Sequence, residues 1–122
     1  MRELVLSIEN EYRRYRALAE ATFAQLTDDE LCTADPGAGN SIAVVVWHVA
    51  GNLESRFSDF LASDGEKPWR DREAEFAPRT VSRAELLARW EQGWSALLAA
   101  LAKVTDTDLG RTVTIRRQPL LV

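Results

Sequence analysis

Apolar residues recur at three- and four-residue steps through three long stretches of this 122-residue chain. The first runs from about Arg2 to Leu26, with Leu4, Ile8, Tyr12, Tyr15, Ala19, Phe23 and Leu26 in the repeat. At about 100° per residue these positions fall on one side of a helix, which predicts a single buried face. Glu9–Arg13 and Arg16–Glu20 stand four apart on the other side, where such pairs give weak support. The second stretch starts at Asn40 or Ser41, both good N-caps, and continues to about Ser63. Its stripe is Ile42, Val45, Val46, Val49, Leu53, Phe57, Phe60 and Leu61. Val44 and Trp47 make its first half apolar nearly all round, so more than one side is expected to be covered. β-branched residues crowd that half, and a strand is the competing local reading. The helical spacing of the later residues decides for helix. The third stretch opens on Ser82-Arg83-Ala84-Glu85, a capping box, and carries Leu86, Trp90, Trp94, Leu97, Leu101 and Val104.

The segments between are marked by breakers. Thr27 to Glu30 has the form of a second capping box and predicts a short helical turn. Thr33 to Asn40, with Asp35-Pro36-Gly37 and Gly39, reads as a loop. Asp64 to Thr80 is a long charged connection holding Gly65, Pro68, Trp69, Phe76 and Pro78. Connections of that length inside compact domains are uncommon and are often functional or packed over something. Thr105 to Gly110 predicts a turn, and the alternation over Thr112 to Arg116 a short strand. Pro119 to Val122 reads as an apolar, unsupported tail. Helices of about 22 residues are about 33 Å long, and three of them make a bundle. The expected class is all-α, one domain over residues 1–122, with a short β segment near the C-terminus. The breadth of apolar surface on the second helix asks for a fourth partner.

Hydrophobic residues at 46% and charged residues at 28% give an ordinary globular balance. A net charge of -4 argues against a chain built to hold nucleic acid phosphates. Cys32 is the one cysteine, so there is no intramolecular disulfide and no zinc-type cysteine spacing. A reducing, cytoplasmic setting is expected. Glu3, Glu9 and Glu11 stand where a signal peptide would be apolar. Ile42 to Gly51 is too short to cross a bilayer, so no membrane partner is expected.

His48 is the only histidine. On the helical wheel it lies on a flank with Ser41, Asn52, Ser55 and Asp59, beside the apolar stripe. A histidine there is either a hydrogen-bonded structural residue or a metal ligand. The chain has no second histidine to join it, and Asp59, three turns on, is too far to share a metal. Cys32 and Asp35 in the preceding loop are the remaining donors that could approach. Ser41, Ser55 and Ser58 have no base partner beyond His48, and no phosphate-cradling glycine loop is present. Trp47, Trp90 and Trp94 read as core. Trp69 sits in the charged loop, as a plug on the bundle end or a lid over a pocket.

The run Asn40-Ser41-Ile42, Trp47-His48-Val49-Ala50-Gly51-Asn52-Leu53, Ser55-Arg56-Phe57 and Asp59-Phe60-Leu61 resembles the DinB-like metalloenzyme superfamily. Gly65-Glu66-Lys67-Pro68-Trp69-Arg70, with Glu75-Phe76, is similar to one subgroup known as a domain of unknown function. Trp90-Glu91-Gln92-Gly93-Trp94 and Val113-Thr114-Ile115-Arg116 extend the likeness over nearly the whole chain. The resemblance implies an up-down four-helix bundle, commonly dimeric. It also implies a divalent metal held by one histidine of the second helix and two of the fourth. Relatives include thiol-dependent transferases and isomerases and metal-dependent hydrolases. His48 matches the first ligand. The other two have no counterpart, because the family's last helix, with its His-x-x-x-His, would follow Arg117-Gln118-Pro119 and this chain stops at Val122.

Two expectations follow. One is a dimeric binding or structural module with an incomplete metal site at His48, the second copy covering the groove a fourth helix would fill. A two-fold interface would bring two His48 side chains together, a weak site for zinc or nickel. The other is a divalent-metal enzyme of the thiol transferase or hydrolase kind, its missing ligands supplied by another chain. There the loop with Trp69 and Arg70 would roof a pocket that includes Asn52.

Overall fold

The computed structural model describes residues 1–37 and 39–122. Three long helices dominate it: α1 (Glu3–Ala24), α3 (Ile42–Phe57) and α5 (Arg83–Lys103). Between them lie the short α2 (Asp28–Cys32) and α4 (Arg72–Glu75). A 3-10 turn, Asp106–Gly110, leads into an antiparallel hairpin, β1 (Thr112–Ile115) and β2 (Gln118–Leu121). This is the all-α bundle with a short β segment that the hydrophobic spacing predicts. Among the described residues no helix is long and apolar enough to cross a membrane.

Local chemistry sets the boundaries. Thr27 and Ser82 close the two expected capping boxes, each hydroxyl accepting from the N–H three residues on. Ser41 caps α3 by accepting from Val44 N–H. The helix ends at Phe57 and not near Ser63, because Ser58 is extended and Asp59 adopts a φ of 51°. Phe60 and Leu61, expected as helix positions, still pack against the core from the turn beyond. Residue 38 of the expected 33–40 loop lies outside the described residues.

The core is centred on α3 and α5. Leu86, Trp90, Trp94, Leu97 and Leu101 of α5 are buried, as their spacing predicts, with Ala43, Val46, Ala50 and Leu53 of α3. A second buried face of α3, Val44, Gly51 and Ser55, lies beneath the 64–80 connection. Helix α1 departs from expectation. Val5 and Phe23 are its buried residues, with Tyr12 and Ala19 packed behind them. Leu4, Ile8 and Tyr15, assigned to the same core stripe, stand exposed beside Leu18. The reason is that α1 packs on α5 and the 106–110 turn, which turns Val5 and Phe23 inward. The flank carrying Leu4, Ile8, Tyr15 and Leu18 is left open.

The tail is also ordered, contrary to its reading as unsupported. Pro119 to Leu121 pair with β1 through a two-residue turn at Arg116 and Arg117, with φ of 52° and 65°. Such turns favour glycine or asparagine, because both central residues are left-handed. Here Asp64 supplies the compensation, its carboxylate accepting from Arg116 N–H at 2.9 Å and Arg117 N–H at 2.7 Å.

Candidate functional site

The long connection is stitched onto α3. The Ser55 hydroxyl donates to the Gly65 carbonyl at 2.6 Å and accepts from Lys67 N–H at 3.0 Å. Lys67 Nζ donates to the carbonyls of Ser55 and Asp64, both at 2.6 Å. Burial lowers the Lys67 pKa against the pull of Asp59 and Asp64. Gly65 N–H bonds to the Thr114 carbonyl at 2.8 Å and ties the same segment to the hairpin. Asp64 is held well below the usual carboxylate range, first by the Arg117 N–H and then by the Glu66 N–H, against partial desolvation. The Thr114 hydroxyl and the Arg116 N–H add to this.

This scaffold delivers Glu75 to His48. Asp71 caps α4 by accepting from Ala74 N–H at 3.1 Å, and Glu75 at the helix end turns into the protein. Its carboxylate lies directly against α3. A Cβ at position 51 would sit 2.0 Å from Glu75 Oε2, so only glycine leaves the space. Glu75 Oε1 is 3.1 Å from His48 Nδ1. Arg70, its side chain 3% exposed, donates from Nε to Oε2 at 3.0 Å and from Nη2 to Oε1 at 3.1 Å. Its pKa is raised, chiefly by these hydrogen bonds, against burial. Glu66 lies 3.4 Å from the other Arg70 nitrogen. Phe76 packs on the imidazole with centroids 4.6 Å apart. The result is a line of alternating charge, Glu66–Arg70–Glu75, ending on an imidazole.

Asn52 and Arg56 share the third, partly exposed face of α3 with Val45, His48 and Val49, at helical steps. Ser55, expected on that flank, points beneath the loop, and Ser41 is occupied as a cap. Trp69 is 57% exposed and lines a shallow depression of about 330 Å³ with Trp47, Arg79 and Arg89. Arg79 stacks over Trp47 at 4.5 Å, and burial, then the charge of Arg89, pulls its pKa down. So Arg70 is joined to His48 through Glu75, Asn52 shares a helix face with it, and Trp69 lies on the depression. Cys32 is engaged by the Val81 backbone, and Asp35 accepts from Gly37 N–H. Glu75 enters the sequence reading only within the family-like segment, with no role at the site. It is one of several carboxylates in a charged loop, and only the room made by Gly51 distinguishes it.

Among the described residues no group of three histidine, cysteine or acidic side chains is close enough to hold a metal ion. The nearest carboxylate, Glu75, has both oxygens on Arg70. A catalytic zinc typically takes three protein ligands, and these residues supply one imidazole, so they do not make a complete divalent centre.

Residues 1–122 match the model of a family described as a protein of unknown function (DUF1572). No curated protein and no solved structure matches the chain.

Proposed function

The chain belongs to this family of unknown function (DUF1572), and from that premise we propose that it is a DinB-like binding module that works as a homodimer in the cytoplasm. The observation that carries the proposal is the open flank of α1. Leu4 is 60% exposed, Ile8 40%, Tyr15 56% and Leu18 54%, and Val45 of α3 is 47% exposed. Each large apolar side chain left in water forgoes about 1.5–3 kcal/mol. A contiguous strip of this kind marks an interaction surface.

The strip is suited to a second copy. In an antiparallel pairing, Leu4 of one α1 falls opposite Leu18 of the other, and Ile8 opposite Tyr15. Glu11 then lies near the two-fold axis, neutralised in each copy by its own Arg14. Such self-matching is what an isologous interface requires. Sedimentation of the wild-type chain and of Leu18→Glu tests the proposal. The wild type should run as a dimer and the variant as a folded monomer. A wild-type monomer at micromolar concentration sinks the reading.

A second reading is favoured by the Glu75–His48 contact: a divalent-metal enzyme of the transferase or hydrolase kind, its other ligands brought by another chain. A metal-ligating histidine commonly gives its second ring nitrogen to a carboxylate, which is the arrangement at His48. Elemental analysis after loading with zinc or nickel decides. Stoichiometric metal in the wild type, lost in a folded His48→Ala, supports it. Absence of metal from the wild-type assembly removes it.

A further inference from the structure

We infer that Glu75 is a positioning residue that fixes which nitrogen of His48 carries hydrogen, so that Nδ1 donates and Nε2 keeps a free lone pair. The inference deepens the metal-dependent reading and rests on it only for what the nitrogen is used for.

A guanidinium has five donors and no acceptor. Arg70 aims one donor at each oxygen of Glu75, at 3.0 Å and 3.1 Å. Both oxygens are therefore acceptors, and neither is the hydroxyl of an acid. The hydrogen between Glu75 Oε1 and His48 Nδ1, 3.1 Å apart, then belongs to Nδ1. The opposite arrangement would set the Nδ1 lone pair against a carboxylate oxygen. An unconstrained imidazole in water favours hydrogen on Nε2, so the protein selects the less common form.

The geometry leaves Glu75 little freedom to release the ring. Its carboxylate fills the space over Gly51, where a Cβ would come within 2.0 Å. Arg70 holds both of its oxygens and is itself nearly enclosed, at 3% exposure. Phe76 covers one face of the imidazole at an interplanar angle of 35°. Position, ring plane and tautomer are thus set by one loop, which is otherwise a long connection between two helices. A lone pair so presented can accept a hydrogen bond or a proton from a bound molecule, or serve as one ligand among others from another chain.

The test is a long-range ¹H–¹⁵N spectrum of the full chain labelled in histidine, with no metal added. It is taken well above the ordinary histidine pKa of about 6.5. With a single histidine the spectrum reports this ring alone. The expected result is a hydrogen-bearing Nδ1 and a bare Nε2. Hydrogen on Nε2 in the wild type overturns the inference without any variant. Glu75→Ala, which removes the acceptor, should move hydrogen to Nε2 or give a mixture, with folding followed by circular dichroism. An unchanged Nδ1–H form in the folded variant also overturns it. Where zinc binds, Glu75→Ala should weaken it about 10- to 100-fold. A bare Nε2 in a chain that takes up neither metal supports the positioning role and removes the metal reading alone.

Discussion

Helix α5 meets its two long neighbours in different ways. Toward α3 the backbones come so close that a Cβ on Gly93 would lie 2.7 Å from Ala50 Cα. Leu86, Leu97 and Val46 around that contact are sealed from water. Toward α1 the joint mixes aromatic contacts, Phe23 on Trp90 and Tyr12 on Trp94, with polar ones. Arg16 reaches Glu91, and Trp90 Nε1 donates to Glu20 at 3.1 Å. The ends of α1 are clasped: Asp106 accepts from Leu4 and Val5 N–H, and Arg2 donates to the carbonyls of Leu101 and Val104. Arg83 does the same at the far end, for Phe23 and Leu26. A shape-filled joint fixes both helices and leaves nothing over. A clasped joint holds a helix in place while one of its apolar flanks stays free.

The two joints should break differently. Leu97→Ala, in the sealed half, should cost about 2–5 kcal/mol by chemical denaturation. Gly93→Ala pushes a methyl into the Ala50 backbone and should cost about 1–3 kcal/mol, with no effect on assembly. Asp106→Ala removes the cap of α1 and should cost about 0.5–2 kcal/mol, with hydrogen exchange rising first in its opening turn. Leu18→Glu should change monomer stability by no more than about 0.5 kcal/mol, since an exposed site has little to lose. Its effect should appear in assembly instead. Equal losses for Leu97→Ala and Leu18→Glu in the monomer would contradict the contrast.

The smallest expected effect is acid fraying of the hairpin. Asp64 has a depressed carboxyl in the folded chain, so its support is complete above the unfolded value of about 3.9. It fades as pH falls below that value toward the lower folded one. Amide protection at Arg116 and Arg117 should therefore persist at neutral pH and disappear in strong acid. Asp64→Ala should abolish it at every pH.

The same contrast explains what the sequence could tell. The α5 stripe was legible residue by residue, because a helix buried on one face repeats at 3.6 and Ser82–Glu85 marks its start. The α1 stripe had the same period and misled. Leu4 and Val5 are adjacent in sequence, and periodicity alone does not say which of two apolar flanks finds the neighbour. The hairpin was half seen, since Arg116-Arg117 lacks the Asn-Gly signal and its support comes from Asp64, 52 residues away. His48 stands out as the only histidine, but of the flank expected with it Asn52 alone stays beside it on α3, since Ser41 is a cap, Ser55 turns beneath the loop and Asp59 lies past the helix end. The Glu75 contact depends on a loop folding back over Gly51, which no spacing rule encodes.

Native mass spectrometry of the 122-residue chain beside Leu18→Glu tests the central claim most directly. The account predicts a wild-type dimer that the single substitution converts to a folded monomer. A wild-type monomer, or a dimer indifferent to Leu18→Glu, would mean that a second copy does not cover the open flank of α1.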